Sequence, residues 1–173
     1  MLKSFSIFSI ATFFLLNISC TSTTSDKEAM EANLTTQLPN NTVVKIVDGD
    51  TYDIILNGIQ TRIRMQGIDT PERGMDYYKV AKEYLGKLCL HQKVRVVGTE
   101  KDRYGRLLAK SYLPDGREIG EEMIRAGMAW HFTKYSNDPK LARLEREARV
   151  ARIGLWSIPN PIAPWDFRKK KKK

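Results

Sequence analysis

Val43-Val44-Lys45-Ile46-Val47-Asp48-Gly49-Asp50-Thr51-Tyr52-Asp53-Ile54-Ile55-Leu56-Asn57-Gly58-Ile59 is the stretch that decides the fold. Two runs rich in β-branched residues are joined by Asp48-Gly49, and Asn57-Gly58 leads the second run into a third. Asp-Gly and Asn-Gly between such runs are hairpin turns, because both residues tolerate the positive φ that tight turns demand. The third run extends to Ile68. There Ile63 and Met65 alternate with Arg62 and Arg64, so the two-residue period places apolar and charged side chains on opposite faces. The spacing therefore predicts a three-stranded meander ahead of any helix.

The end of the third strand is unusual. Arg64-Met65-Gln66-Gly67-Ile68-Asp69-Thr70-Pro71-Glu72 packs a guanidinium, two carboxylates and a proline into one short segment. Pro71 fixes its own φ and biases Thr70 toward extended backbone, which makes a rigid corner.

Beyond this corner a helix is predicted from Met75 to Leu90. Val80, Tyr84, Leu85, Leu88 and Tyr77 recur at helical spacing, with Lys79, Lys82, Glu83 and Lys87 toward water. Lys93–Val97 and Arg106–Leu113 alternate as a fourth and a fifth strand, joined by the polar segment Thr99–Gly105. A helix follows over Glu118–Ala126 with Gly127 as its stop. The last one is capped by Asn137-Asp138, starts with Pro139 and ends near Gly154. Leu141, Leu144, Ala148, Ala151 and Leu155 form its inward stripe, and Glu145 can pair with Arg149 outside. The order predicts an α+β domain: a five-stranded Greek-key barrel of the OB type, with a helix between strands three and four and two C-terminal helices.

The chain has 173 residues, room for one domain with appendages. Residues 1–19 read as a signal peptide: a basic start, then an apolar run from Phe5 to Ile18 that is short for a membrane span. Leu16-Asn17-Ile18-Ser19-Cys20 resembles a bacterial lipobox, departing from it at Asn17. Cys20 is thus the candidate lipidation site, and ordinary signal cleavage is the alternative; the expected location is the cell envelope, through a lipid anchor, or else secreted. Residues 20–41 are Ser/Thr/Asn-rich and read as a tether, 42–157 as the folded domain, and 158–173 as an extension with a basic tail. The formal net charge is +9, and Lys3 with the six cations from Arg168 to Lys173 accounts for all but +2 of it. The body is nearly neutral. The run either attracts polyanions or simply solubilises the end. Two cysteines, one of them Cys20, exclude a disulfide framework, and Cys89 between Leu88 and Leu90 reads as a buried hydrophobe.

On an OB-type barrel, Asp48 and Asp50 fall on the loop between strands one and two, and Asp102 to Arg106 on that between strands four and five. Such barrels use these loops for oligonucleotides. Asp50 and Asp69 would repel if brought together bare, and a hard divalent ion resolves this by taking oxygens from both, from the Thr70 carbonyl and from water or phosphate. Glu72 is the candidate general base, and Arg64 and Arg106 are candidate bidentate donors to phosphate.

Asp-Gly-Asp-Thr at 48–51, Arg64 five residues ahead of Asp-Thr-Pro-Glu at 69–72, and Asp-Arg-Tyr-Gly-Arg at 102–106 together resemble the staphylococcal nuclease (thermonuclease) family in order and spacing. Gly127-Met128-Ala129-Trp130 and Gly154-Leu155-Trp156-Ser157 are similar to its exported members. The resemblance covers Val43 to Trp156. It implies calcium-dependent endonucleolytic hydrolysis of DNA and RNA, preferentially single-stranded, leaving 3′-phosphates. By the same resemblance Asp50, Asp69 and the Thr70 carbonyl would bind Ca2+, Arg64, Glu72 and Arg106 would be catalytic, and Tyr104 and Tyr135 would contact nucleotides. Thr133 stands where the founding member has another tyrosine, and His91 and His131 take over no role. A monomer is expected. A nucleic-acid-binding OB module without hydrolysis is the alternative, although inactive copies lose the charged residues that this chain retains.

Overall fold

Asn57 and Gly58 adopt φ of 51° and 76°, the pair of positive values that a two-residue hairpin turn of the favoured hand needs. They join β2 (Thr51–Leu56) to β3 (Ile59–Met65), and β1 (Val43–Asp48) pairs with the far side of β2. The structure is a computed structural model that describes residues 40–171; the predicted signal peptide, Cys20 and nearly all of the tether lie outside those residues. The meander continues through β4 (Ile68–Asp69), α1 (Tyr78–Cys89), β5 (Arg95–Val97), β6 (Leu107–Tyr112), α2 (Ile119–Arg125), β7 (Trp130–His131) and α3 (Pro139–Val150). A 3₁₀ turn (Gly154–Ser157) and α4 (Pro164–Lys171) finish the described chain.

The five main strands run in the order β1-β2-β3-β6-β5. β6 lies parallel to β3, and the other neighbouring pairs are antiparallel. This is the strand arrangement of an OB-type fold, but the barrel is not closed. β5 has only three residues, all of them pairing with β6, and the chain just before β1 meets the chain just before β5 at an isolated bridge between Thr42 and Lys93. The small sheet β4–β7 was not anticipated; it pairs Asp69 with Trp130 and so fixes the acidic corner against the C-terminal half.

Helix α1 buries Ala81, Leu85 and Cys89, a strict i, i+4, i+8 stripe, while Val80 is exposed. The predicted stripe was thus rotated by about one residue, and Tyr84 and Leu88 flank the buried line. Cys89 is fully buried, with its thiol directed to the Leu85 carbonyl at 3.3 Å, and burial pushes its pKa up to about 12. Tyr52 crosses the core from β2 to bond Ser111 of β6. Leu141, Leu144 and Ala148 of α3 are buried as predicted, and Glu145 pairs with Arg149 at 3.1 Å. The helix stops at Val150, before the expected Gly154, so Ala151 is exposed and Leu155 is buried from the 3₁₀ turn instead. A second cluster holds Trp130, Ala148, Leu155, Trp156 and Ala163, with Trp165 against it.

Asp138 caps α3. One carboxylate oxygen accepts from the Lys140 amide at 2.9 Å and the other from Lys110 Nζ at 3.0 Å. The bond from Lys110, helped by the backbone, holds the Asp138 pKa below the usual carboxylate range. The native state therefore binds fewer protons than the unfolded chain, and this contribution is present at neutral pH and lost as pH falls through the carboxylate range. Asp138→Ala is expected to cost about 1 kcal/mol at neutral pH. In urea unfolding curves the gap from wild type should close as the pH is lowered below that range.

Candidate active site

The register of the β2–β3 hairpin places Arg64 opposite Thr51, beside the turn that carries Asp50. There the Arg64 guanidinium is spanned on both sides. Nη2 donates to Asp69 Oδ1 at 3.1 Å and lies in an ion pair 3.0 Å from Asp50 Oδ2, while Nη1 donates to the carbonyls of Met65 at 2.7 Å and Ile68 at 2.9 Å. Asp50 is further fixed by the Thr51 hydroxyl at 3.0 Å and by the Thr70 amide at 3.0 Å. Gly49 is required for this approach, since a Cβ there would lie 2.8 Å from Thr70 Oγ1. Asp50, Asp69 and Thr70 are all buried.

Negative charge is in excess here. Burial, and then the neighbouring Asp50, raise the Asp69 pKa against the pull of Arg168 and Arg64. Asp48 is pushed up to about 7 by burial and by Asp50. A cleft of ≈ 240 Å³ opens on Asp48, Asp50, Thr70 and Glu72. Among the described residues no three His, Cys, Asp or Glu side chains close on one point. The chain thus offers two adjacent buried carboxylates and an oxygen-lined cleft, a donor set that fits a hard cation completed by water or phosphate better than it fits a soft metal.

Glu72 joins the cluster through a residue that sequence reasoning missed. Arg168 of α4 donates from Nη1 to Glu72 Oε1 at 2.5 Å and to Asp69 Oδ1 at 3.2 Å, and from Nη2 to Asp69 Oδ2 at 2.7 Å. The basic run had been read as an undifferentiated tail. Pro164, suited to a first helical turn, and Trp165 and Phe167 just ahead of the cations were the available signal for a docked helix.

Arg106 and Tyr104 occupy the loop between β5 and β6. Asp102 Oδ1 accepts from the amides of Tyr104 at 2.9 Å and Arg106 at 3.0 Å, and Oδ2 accepts from Arg106 Nε at 2.7 Å. Slight burial raises the Asp102 pKa, but these bonds outweigh it and the net shift is downward. The parallel pairing of Ile63 with Leu107 brings the Arg106 end of β6 alongside β3. Among the described residues no ion pair joins Arg106 to the acidic cluster. Tyr104 and Tyr135 are both exposed, 67 % and 70 %. Tyr104 lies under the Arg106 guanidinium, and Tyr135 meets Phe132 edge-on at 4.9 Å. His131 is buried and bonded to Ser136 at 3.1 Å, whereas His91 is a surface residue.

A family model described as Staphylococcal nuclease homologue matches residues 62–158. The chain belongs to the staphylococcal nuclease family. Among its relatives in that family, an uncharacterized endonuclease of Escherichia coli O157:H7 is 40% identical over 129 residues, covering 75% of this chain and 84% of that protein. A micrococcal nuclease of Shigella flexneri is 39% identical over 140 residues, covering 75% and 80%. A staphylococcal-like nuclease of Arabidopsis thaliana is 41% identical over 111 residues, covering 64% and 34%.

In this nuclease-family chain, Asp102 is the only side chain among those described that bonds the Arg106 guanidinium. Releasing it should free the Arg106 guanidinium without disturbing the core. Asp102→Ala is expected to lower nuclease turnover by about 10- to 100-fold, with an unchanged circular dichroism spectrum.

Proposed function

We propose that this chain is a calcium-dependent endonuclease that cleaves DNA and RNA, preferentially single-stranded, and leaves 3′-phosphates. Hydrolysis of nucleic acid is the activity that membership of the nuclease family supports. The observation that carries the finer reading is the Arg64 guanidinium held between Asp50 and Asp69, with Glu72 beside them.

Asp50, Asp69 and the Thr70 carbonyl would hold the calcium ion. Bound there, it would supply a positive charge that draws the phosphodiester in and offsets the charge developing on it. Glu72 takes a proton from the attacking water, whose oxygen bonds to phosphorus as the bond from phosphorus to the 5′-oxygen breaks, and the departing 5′-oxygen takes up a proton from solvent. The products are a 3′-phosphate and a 5′-hydroxyl.

The arginines divide the remaining work unequally. Three Arg64 N–H groups donate to the protein, two to carbonyls and one to Asp69, and the guanidinium also pairs with Asp50. Arg64 therefore sets the spacing of the two carboxylates, and most of its fork is taken up by the protein before a phosphate arrives. Arg106 keeps Nη1 without a described partner, which makes it the principal donor to the phosphate oxygens. Tyr104 and Tyr135 present exposed rings for base stacking, which tolerates any sequence. No residue in this set reads base edges, so cleavage should be weakly specific.

Denatured DNA incubated with the chain from residue 21 onward, with calcium or with a chelator, tests this directly. Glu72→Ala and Arg106→Ala should each lower turnover by about 10²-fold or more, and the chelator should abolish it. Binding without cleavage by the wild type would point to the non-hydrolytic OB module instead.

We also propose that Cys20 is lipidated and holds the mature chain to the cell envelope. In fractionated cells Cys20→Ser should move the protein from the membrane pellet to the soluble fraction, and retention in the pellet would rule the anchor out.

A further inference from the structure

The family match ends at residue 158, yet the side chain with the most bonds to the carboxylates of the site comes from residue 168. Arg168 makes three such contacts, with both oxygens of Asp69 and with Glu72. We propose that Arg168 is a positioning residue of the catalytic centre: it orients the Glu72 carboxylate toward the attacking water, and α4 is the element that delivers it. The inference rests on the nuclease reading above.

Glu72 needs such a partner. It follows Pro71 in a loop, its side chain is 39% exposed, and among the described residues Arg168 is the only group bonded to its carboxylate. A glutamate on a loop otherwise samples many rotamers, and a base that wanders by an ångström is a poor one. Arginine suits the task because its planar fork reaches two carboxylates at once. Nη1 serves Glu72 and Asp69 together while Nη2 takes the second Asp69 oxygen, and a lysine could not span all three.

The helix that carries Arg168 is anchored. Trp165 lies parallel on Phe132, with ring centres 5.3 Å apart and planes 1° from parallel, and meets Trp130 edge-on at 5.7 Å. Trp130 in turn packs on Trp156 at 4.3 Å. Arg168 follows Trp165 by three residues, which places both on one face of α4, and its guanidinium passes 5.9 Å from the Phe132 ring. The rest of the basic run behaves differently: Lys169 pairs with Asp166 of its own helix, and Lys169, Lys170 and Lys171 are exposed. Arg168 is thus singled out from its neighbours by an aromatic stack that aims it.

The rival role for the same contacts is a plug, a tethered cation that competes with calcium for Asp69. Kinetics and metal binding separate the two. Full-length wild type, Arg168→Ala, Arg168→Lys and Trp165→Ala would be compared in steady-state cleavage of denatured DNA, and in calorimetric titration with calcium alone. For Arg168→Ala we expect kcat to fall by about 10- to 100-fold with KM changed by less than about threefold and no tightening of calcium binding. Arg168→Lys should regain only a small part of kcat, and Trp165→Ala should lose kcat in the same direction. Wild-type kcat in Arg168→Ala, or faster cleavage with tighter calcium binding, would overturn the proposal and identify a plug. Recovery of full kcat by Arg168→Lys would also overturn it, since charge alone would then suffice. If the wild type itself does not cleave, the nuclease reading fails and this inference with it.

Discussion

One guanidinium between two buried carboxylates sets the terms for the rest of the molecule. Asp50 comes from the turn between β1 and β2 and Asp69 from β4, and Arg64 Nη2 lies 3.0 Å and 3.1 Å from them. Removing one partner from such a buried arrangement generally costs about 3–5 kcal/mol, since it strands the other charge. The hairpin register is what makes the arrangement possible. A slip of one residue in β3 would send Arg64 to the opposite face and Ile63 out of the core. The tight Asn57-Gly58 turn and the burial of Ile63 and Met65 hold that register.

Around this anchor Arg64 and Arg106 are held in different ways. Arg64 is held by two carbonyls and two carboxylates, which take up most of its fork. Arg106 sits on a surface loop whose backbone and side chain are both gathered by Asp102. The first is set by burial in the sheet, the second by one acceptor on the rim. Equivalent residue types can therefore differ sharply in how much of their hydrogen-bonding capacity a substrate can use.

Much of this was legible in the sequence, and the boundary of legibility has physical causes. The Asn57-Gly58 hairpin turn, the Asp138 cap and the α3 stripe as far as Ala148 are local, written in residues a few positions apart, and the structure shows each of them. The gathering of Asp50, Asp69 and Thr70 around Arg64 was legible only because three separate motifs matched one family in register. The rotated stripe of α1 was not legible. Val80 is as apolar as Ala81, and only the space beneath the helix decides that the smaller side chain faces in. The open edge between β1 and β5 was hidden too, since strand propensity does not report how many residues of a strand find a second partner. Arg168 was missed because a run of six cations looks uniform in sequence, and its distinction arises from tertiary stacking of Trp165 on Phe132.

The contact between Asp69 and Arg168 closes across 99 residues of chain. Contacts of such separation come late in folding, after the loop entropy has been met by others. The meander, by contrast, is assembled from neighbours and can form early. A chain still emerging from the ribosome can therefore hold much of the sheet while α4 is still unmade. The carboxylate cluster is thus completed by an element far along the chain from the sheet that holds it, and Glu72 is tied to the rest only once α4 has docked.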